Sequence, residues 1–444
     1  MPTETDVVIV GGGLAGLAAA RRLHRAGTPW VLVEAADRLG GRVATDAVDG
    51  SLPTAAWVVN TAYPRLAALL DLATLELGLF TPGVLVRRGA TLHRMVHPLR
   101  EPLGAGRTML TGLADAAGLG RADPPLGDMR PPTAVPDPRR LGAVNSVGRV
   151  SDRVRLAALA TRCAVYPAAR LLAWPELSTE MALCRAGLSE RIVEELLRPF
   201  LSGVFGEREL TTSSHVFAMV LRSFVRGRIG LPAAGIAALP RAVAAPLPAY
   251  LLRLNVAATR LGPGLVQTSA GKIRCRAVLV AVDPPAVRTL LPTLRRVHMH
   301  GLTTYYHSAV EPPLDEPVLL LDGDRRELVS NTVVASRAAP TYAPAGRHLI
   351  ATSVAGPAPP PEPMVRAELA RLYGRPTDDW EHLTTVTVPA ALPAAPAPQG
   401  RLRKAVAMGD GIYLAGDHRA SPSVQGALAS GWQAAGAILR RLVG

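Results

Sequence analysis

The apolar pattern of the chain changes period within its first 35 residues. Residues 7–10 form an unbroken apolar run, which predicts a strand buried on both faces of a parallel sheet. A glycine turn follows, and residues 17–23 continue with helical spacing to a stop at Gly27. Residues 30–33 make a second apolar strand, closed by Glu34. Further along, the pattern predicts a short helix over 65–72 and a hairpin over 85–97 that turns at Gly89. Residues 101–149, rich in Gly and Pro, read as an irregular, mobile insertion. Helices are expected over 154–166, 178–186, 189–200 and 211–230, with Ser178, Ser189 and either Thr212 or Ser213 as caps. Residues 252–256 and 277–282 read as two strands around a turn. A strand over 301–307 follows, with 318–321, 328–334 and 348–354 as antiparallel neighbours. The chain closes with a helix over 363–373, a Pro/Ala-rich stretch over 390–398, a strand over 412–415 and a helix over 426–439.

The first strand–turn–helix–strand unit carries candidate chemistry. Gly11, Gly13 and Gly16 give the GxGxxG spacing, with Leu14 and Ala15 between them. The first glycine permits the tight turn, the second lets backbone approach a pyrophosphate, and the third brings helix close to strand. The helix N-terminus adds free N–H groups and a positive dipole end. Glu34, followed by Ala35, is placed to accept ribose hydroxyls and would repel a 2′-phosphate. An adenine dinucleotide is the expected ligand.

A second glycine element follows: Arg38, Leu39, Gly40, Gly41 and Arg42. With Glu34 ahead of it, this run resembles the FAD-binding amine-oxidase and phytoene-desaturase superfamily of bacterial NAD(P)/FAD-dependent oxidoreductases. There the element lies along the flavin cofactor's phosphates. The resemblance continues in family order through NTAYP (60–64), LPAAGIAALP (231–240) and the C-terminal GIYLAGDHRASPSVQGALASGWQAAGA (411–437). It implies that the backbone of Val256 meets the adenine ring and that Asp417, in the turn after Gly416, bonds the ribityl chain or pyrophosphate. Ser423, Val424, Gln425 and Gly426 would bring a helix N-terminus to the flavin's pyrimidine side. A helix dipole there stabilises negative charge on the reduced ring, and Ala427 and Gly431 are expected to keep the helix thin where it meets the cofactor.

The implied fold is α/β: a Rossmann-type, glutathione-reductase-like FAD-binding domain assembled from segments 1–75, 206–290 and 395–444, with an inserted α+β substrate domain from 76–205 and 291–394. The implied activity is a flavin-dependent oxidation or desaturation of a hydrophobic small molecule, of the kind found in secondary metabolism. Hydride would pass to FAD and electrons on to oxygen or another acceptor. Two departures qualify it. Pro53, Thr54 and Ala55 stand where the family has an acid and then a glycine beside the ring, and no lysine stands near His300 and Gly301, where its amine oxidases hold a water. No catalytic base is assigned. A redox-neutral flavin-dependent isomerase or cyclase and a non-catalytic scaffold remain as alternatives.

Composition narrows the rest. A chain of 444 residues, 48% hydrophobic, suits two domains with a sizeable core. The net charge of +14 is spread along the chain, with Lys272 and Lys404 as its only lysines and few aromatics. This argues against nucleic acid and leaves peripheral contact with an anionic membrane open. Cys163, Cys184 and Cys275 lack disulfide or zinc spacing and read as buried small hydrophobes. His93 and His97 have no companion ligands, so no metal is expected. His215, at a helix start, reads as a structural hydrogen-bonding residue, and Tyr305 and Tyr306 must face opposite sides of their strand. With only residues 1–5 ahead of the first strand and no apolar run of about 18 residues, a cytoplasmic protein is expected.

Overall fold

The computed structural model describes residues 4–45, 47–52, 58–95, 147–326, 328–356 and 358–443. The expected departure at Pro53 to Ala55, His97, and nearly all of the insertion over 101–149 lie outside the described residues.

The opening unit forms as its apolar pattern dictates. Strand β1 (Glu4–Val10) leads through the glycine turn into helix α1 (Leu14–Arg25) and then β2 (Trp30–Val33), all four residues of which are buried. In the sheet, β1 lies parallel between β2 and Gly271–Val280. The order runs Ala407–Gly409, Ile412–Leu414, Gly271–Val280, β1, β2, Leu252–Arg253. One face is covered by α1 and the C-terminal helix Val424–Val443, which share an apolar core that includes Leu17, Leu23, Leu428 and Ile438. On the other face, Val8, Val31 and Val278 pack with Val256 and Ile273. A parallel sheet clad on both sides with near-continuous apolar strands is the doubly wound α/β arrangement.

The second large sheet runs Glu381–Pro393, Met299–Ala309, His348–Ala355, Asn331–Val334, Leu319–Asp322, Val84–Arg88, Thr91–Met95. Its pairings are antiparallel except for Leu319–Asp322 against Val84–Arg88. Helix Glu362–Tyr373 packs on one face. The alternation expected at Tyr305 and Tyr306 is present: Tyr305 bonds the carbonyl of Pro360 behind the sheet, whereas Tyr306 faces the cluster of Leu231 and Tyr342 on the other side.

Several expected elements are redrawn. Leu252–Arg253 pairs with β2, and a separate antiparallel hairpin of Ala258–Gly262 and Leu265–Thr268 intervenes before Gly271–Val280, so 252–256 and 277–282 are not two strands around one turn. The helix expected over 211–230 ends at Arg226, and Ile229–Pro232 leaves it as a strand between Val59–Asn60 and Leu77–Leu79. Ser178 and Ser213 accept backbone N–H bonds as caps, but the Ser189 hydroxyl instead donates to buried Asp152 at 2.6 Å. Cys163 and Cys275 are buried while Cys184 is exposed, because it lies on the outward face of Thr179–Arg185.

Candidate functional site

The two glycine elements meet. The Gly40 N–H donates to the Gly12 carbonyl at 3.0 Å, and Gly13 bridges Gly40 in parallel. Gly11 (φ +108°) and Gly40 (φ +114°) hold conformations that side chains disfavour. A Cβ on Gly16 would sit 2.0 Å from the Gly11 carbonyl oxygen, so only glycine lets α1 start this close to the turn. Around Gly13, by contrast, an added Cβ would meet nothing within 4 Å. No acidic side chain occupies the first turn of α1 and no side chain caps it, so its free N–H groups and dipole face this cradle.

Glu34 closes the cradle at the end of β2. Its Oε2 accepts the Gly12 N–H at 2.6 Å and its Oε1 accepts that of Ala36 at 2.8 Å. The neighbouring Ala35 is exposed. The Val256 N–H donates to the Glu34 carbonyl at 2.8 Å, which brings Val256 from the middle of the chain to the same corner. Exposed Arg38 donates to the Gly41 carbonyl, and Leu14 and Ala15 are buried at the start of α1.

Arg42 reaches across to the far segment. Its Nη2 lies 2.7 Å from Asp417 Oδ1, and the same guanidinium bonds the Ala391 carbonyl. Asp417 is almost fully buried, and its Oδ1 also accepts the His418 N–H. Gly416, at φ +150°, donates to the Ser430 hydroxyl of the C-terminal helix. That helix starts at Val424, two residues ahead of the expected Gly426. Ser423 caps it by accepting the Gly426 N–H at 3.0 Å, and Gln425 Oε1 accepts the Arg65 N–H at 2.9 Å. Ala427 packs against the helix–sheet core. Gly431 serves a different contact from the one expected: a Cβ there would lie 1.9 Å from the Ala15 carbonyl oxygen, so this glycine lets the helix touch α1.

Beside this corner opens a cavity of about 1090 Å³, walled by Ala62 and Tyr63 on one side, residues 421–426 on another, and apolar side chains such as Phe80, Phe200 and Phe224 elsewhere. It therefore reaches from the N-terminal turn of the C-terminal helix to the second sheet, where Tyr306 and Tyr342 line it. Burial pushes the Tyr63 phenol up to about 12, so it is neutral at physiological pH. Tyr342, in a short 3-10 turn, has no periodic signal in the sequence, and His418 stands out by no pattern of its own. Burial pulls the His418 imidazole down to about 4, with Asp417 opposing and Arg419, Lys404 and Arg42 assisting, and its Nδ1 has no partner among the described residues. His215 is structural, bonding the Trp174 carbonyl at 2.8 Å. Among the described residues no cluster could hold a metal, and no helix is long and apolar enough to cross a membrane.

Comparison with known proteins agrees with this layout. The model of the flavin-containing amine oxidoreductases matches residues 14–439. A putrescine oxidase of Kocuria rosea is 46% identical over 79 residues, 18% of this chain and 16% of that enzyme, so the matched stretch spans about a sixth of its length. Among solved structures, cyclohexylamine oxidase from Brevibacterium oxydans superposes with a TM-score of 0.65 at 17% identity, covering 99% of this chain and 100% of its own. A candidate protoporphyrinogen oxidase from Exiguobacterium gives 0.66 at 19% identity, covering 98% and 99%. The cradle suits the cofactor these comparisons imply: an uncapped helix N-terminus for a diphosphate, an acidic strand end for a ribose, and unfilled space at Gly13 between them.

Proposed function

The chain belongs to the flavin-containing amine oxidoreductase family, a family of FAD-dependent enzymes, and from that premise we propose that it oxidises a hydrophobic small molecule, a hydride passing from a C–H bond of the substrate to FAD and the electrons on to oxygen. The observation that carries this reading is the large apolar cavity whose wall includes residues 421–426.

On this reading the chain's own residues bind, orient and exclude water. Gly11, Gly13, Gly16 and the start of α1, with Leu14 and Ala15, hold the diphosphate. Glu34, with Ala35 beside it, and Val256 hold the adenosine end. Arg38, Gly40, Gly41 and Arg42 lie along the phosphates, and the Arg42–Asp417 pair ties this loop to Gly416. Ser423, Val424, Gln425 and Ala427 set the helix N-terminus whose dipole favours negative charge near the cavity. The phenylalanine-lined walls keep water from the reacting bond. The test is anaerobic mixing of the FAD-loaded protein with a panel of apolar amines, alcohols and partly reduced ring compounds. At least one is expected to bleach the oxidised flavin, with colour returning on admission of oxygen. Full reduction by dithionite but by no panel member would overturn the proposal.

A further inference from the structure

The charges around the cavity do not suit a protonated amine. Its described lining includes Arg222, Arg228 and Arg403, and among the described residues no Asp or Glu. The Arg222 guanidinium bonds the carbonyl oxygens of Cys163, Ala164 and Tyr166, so the partners it has there leave its positive charge in place. The other polar groups in the lining, among them Thr304, Asn331 and Ser353, are uncharged. Tyr342 also lines the cavity, its hydroxyl shielded from the open space.

We propose that the cavity takes an apolar substrate that bears an acid group, such as a carboxylate, and discriminates against cationic amines of the same apolar body. This rests on the reading of the cavity as the substrate chamber and adds the charge of its occupant. Arg222 is half-buried, and the exposed Arg228 and Arg403, though screened in part by solvent, carry the same sign, so an anion gains and an ammonium loses relative to a neutral analogue. The arginines supply the sign of the preference, and the apolar walls supply the bulk of the affinity.

The experiment is isothermal titration calorimetry of the FAD-loaded protein with dodecanoate and dodecylammonium below their micelle concentrations and dodecan-1-ol below its aqueous solubility, all near neutral pH. Dodecanoate is expected to bind about tenfold or more tighter than the alcohol, and dodecylammonium more weakly than the alcohol. Arg228 and Arg403 are exposed, so substitution there spares the core. The double variant Arg228→Gln/Arg403→Gln is expected to lower the acid-over-alcohol ratio at least about threefold while leaving alcohol affinity unchanged, and the double Lys variant to retain the ratio. Arg276→Gln, on the first sheet next to Asp6, controls for the general positive charge and should change nothing. Dodecylammonium binding as tightly as dodecanoate, or a ratio untouched by the Gln pair, overturns the charge proposal alone. Failure of dodecan-1-ol itself to bind overturns the apolar-chamber reading and this proposal with it.

Discussion

Replacing Gly431 with alanine tests how the two distant cofactor segments are held together. The added Cβ would lie 1.9 Å from the carbonyl oxygen, 2.7 Å from the carbonyl carbon and 3.0 Å from the Cα of Ala15. All three are backbone atoms at the start of α1, and no rotamer change relieves them. Reaching even 3.0 Å from that oxygen requires the two helices to part by about 1 Å (3.0 minus 1.9). Overpacking against an interior typically costs about 1–3 kcal/mol, and the backbone contact puts this site at the upper end. Alanine's better helix propensity returns about 1 kcal/mol, so the net loss should be about 2 kcal/mol. Because α1 begins one residue after the Gly11–Gly13 turn, the shift also disturbs the cradle, and FAD should bind at least about tenfold more weakly. Urea unfolding of the FAD-free protein and titration with FAD measure the two effects separately. Gly436→Ala on the same helix is the control: its Cβ meets the far end of the Arg22 side chain, so the cost of displacing that guanidinium from the Trp432 carbonyl, about 1 kcal/mol, offsets the similar gain in helix propensity, and its stability should stay within about 0.5 kcal/mol of the parent. A Gly431→Ala protein as stable as that control, with unchanged FAD affinity, would refute the close approach of the helices.

Three further outcomes are expected. Arg42→Met should destabilise the FAD-free protein by about 3 kcal/mol, because it leaves buried Asp417 uncompensated, and Asp417→Asn by about 1 kcal/mol, because Arg42 is 23% exposed and keeps its bond to the Ala391 carbonyl; the double variant should cost at least about 1 kcal/mol less than their sum, and strict additivity in urea unfolding would mean the pair is not coupled. Glu34→Arg should abolish FAD retention after gel filtration, by removing the acceptor and its bond to the Gly12 N–H, and full retention would show that β2 ends elsewhere than at the adenosine. His418 has its pKa lowered by burial to about 4 against an ordinary 6.5, so the unfolded chain binds the extra proton in that window and stability falls as pH drops through it. The contribution is up to about 3 kcal/mol, from 2.5 pH units at about 1.36 kcal/mol each. Subtracting the pH profile of His418→Gln from that of the parent should reveal it, and superimposable profiles would contradict the burial of a neutral imidazole.

What the sequence made legible follows from how local each signal is. The opening β–α–β unit could be read because a glycine turn, a helical period and an acidic strand end all fall within about 30 consecutive residues. The corner where Val256 and Asp417 join it is a matter of chain crossing, and only the resemblance placed those residues beside it. Gly431 shows the limit of that help. One helix presents both a face toward the cavity and a face toward α1, and residue type does not say which face a glycine serves. Glu381–Pro393 is not legible as a strand because Pro389 and Pro393 argue against one, yet it lies at the sheet's edge, where missing N–H donors are tolerated. Ala258–Gly262 carries exposed polar residues and so lacked the apolar signal by which strands were recognised. The cavity itself was invisible, since its lining is gathered from several helices, both ends of a sheet and the turn holding Tyr342.

In the proposed function, FAD is gripped by both ends of the chain and lies against an apolar chamber. Titrating FAD into the FAD-free protein and then dodecan-1-ol into the complex, with the visible flavin band as readout, tests it most directly. One FAD per chain and a saturable shift of the band on alcohol binding are predicted. Calorimetric saturation by the alcohol with the flavin band unmoved would separate the chamber from the cofactor and contradict the account.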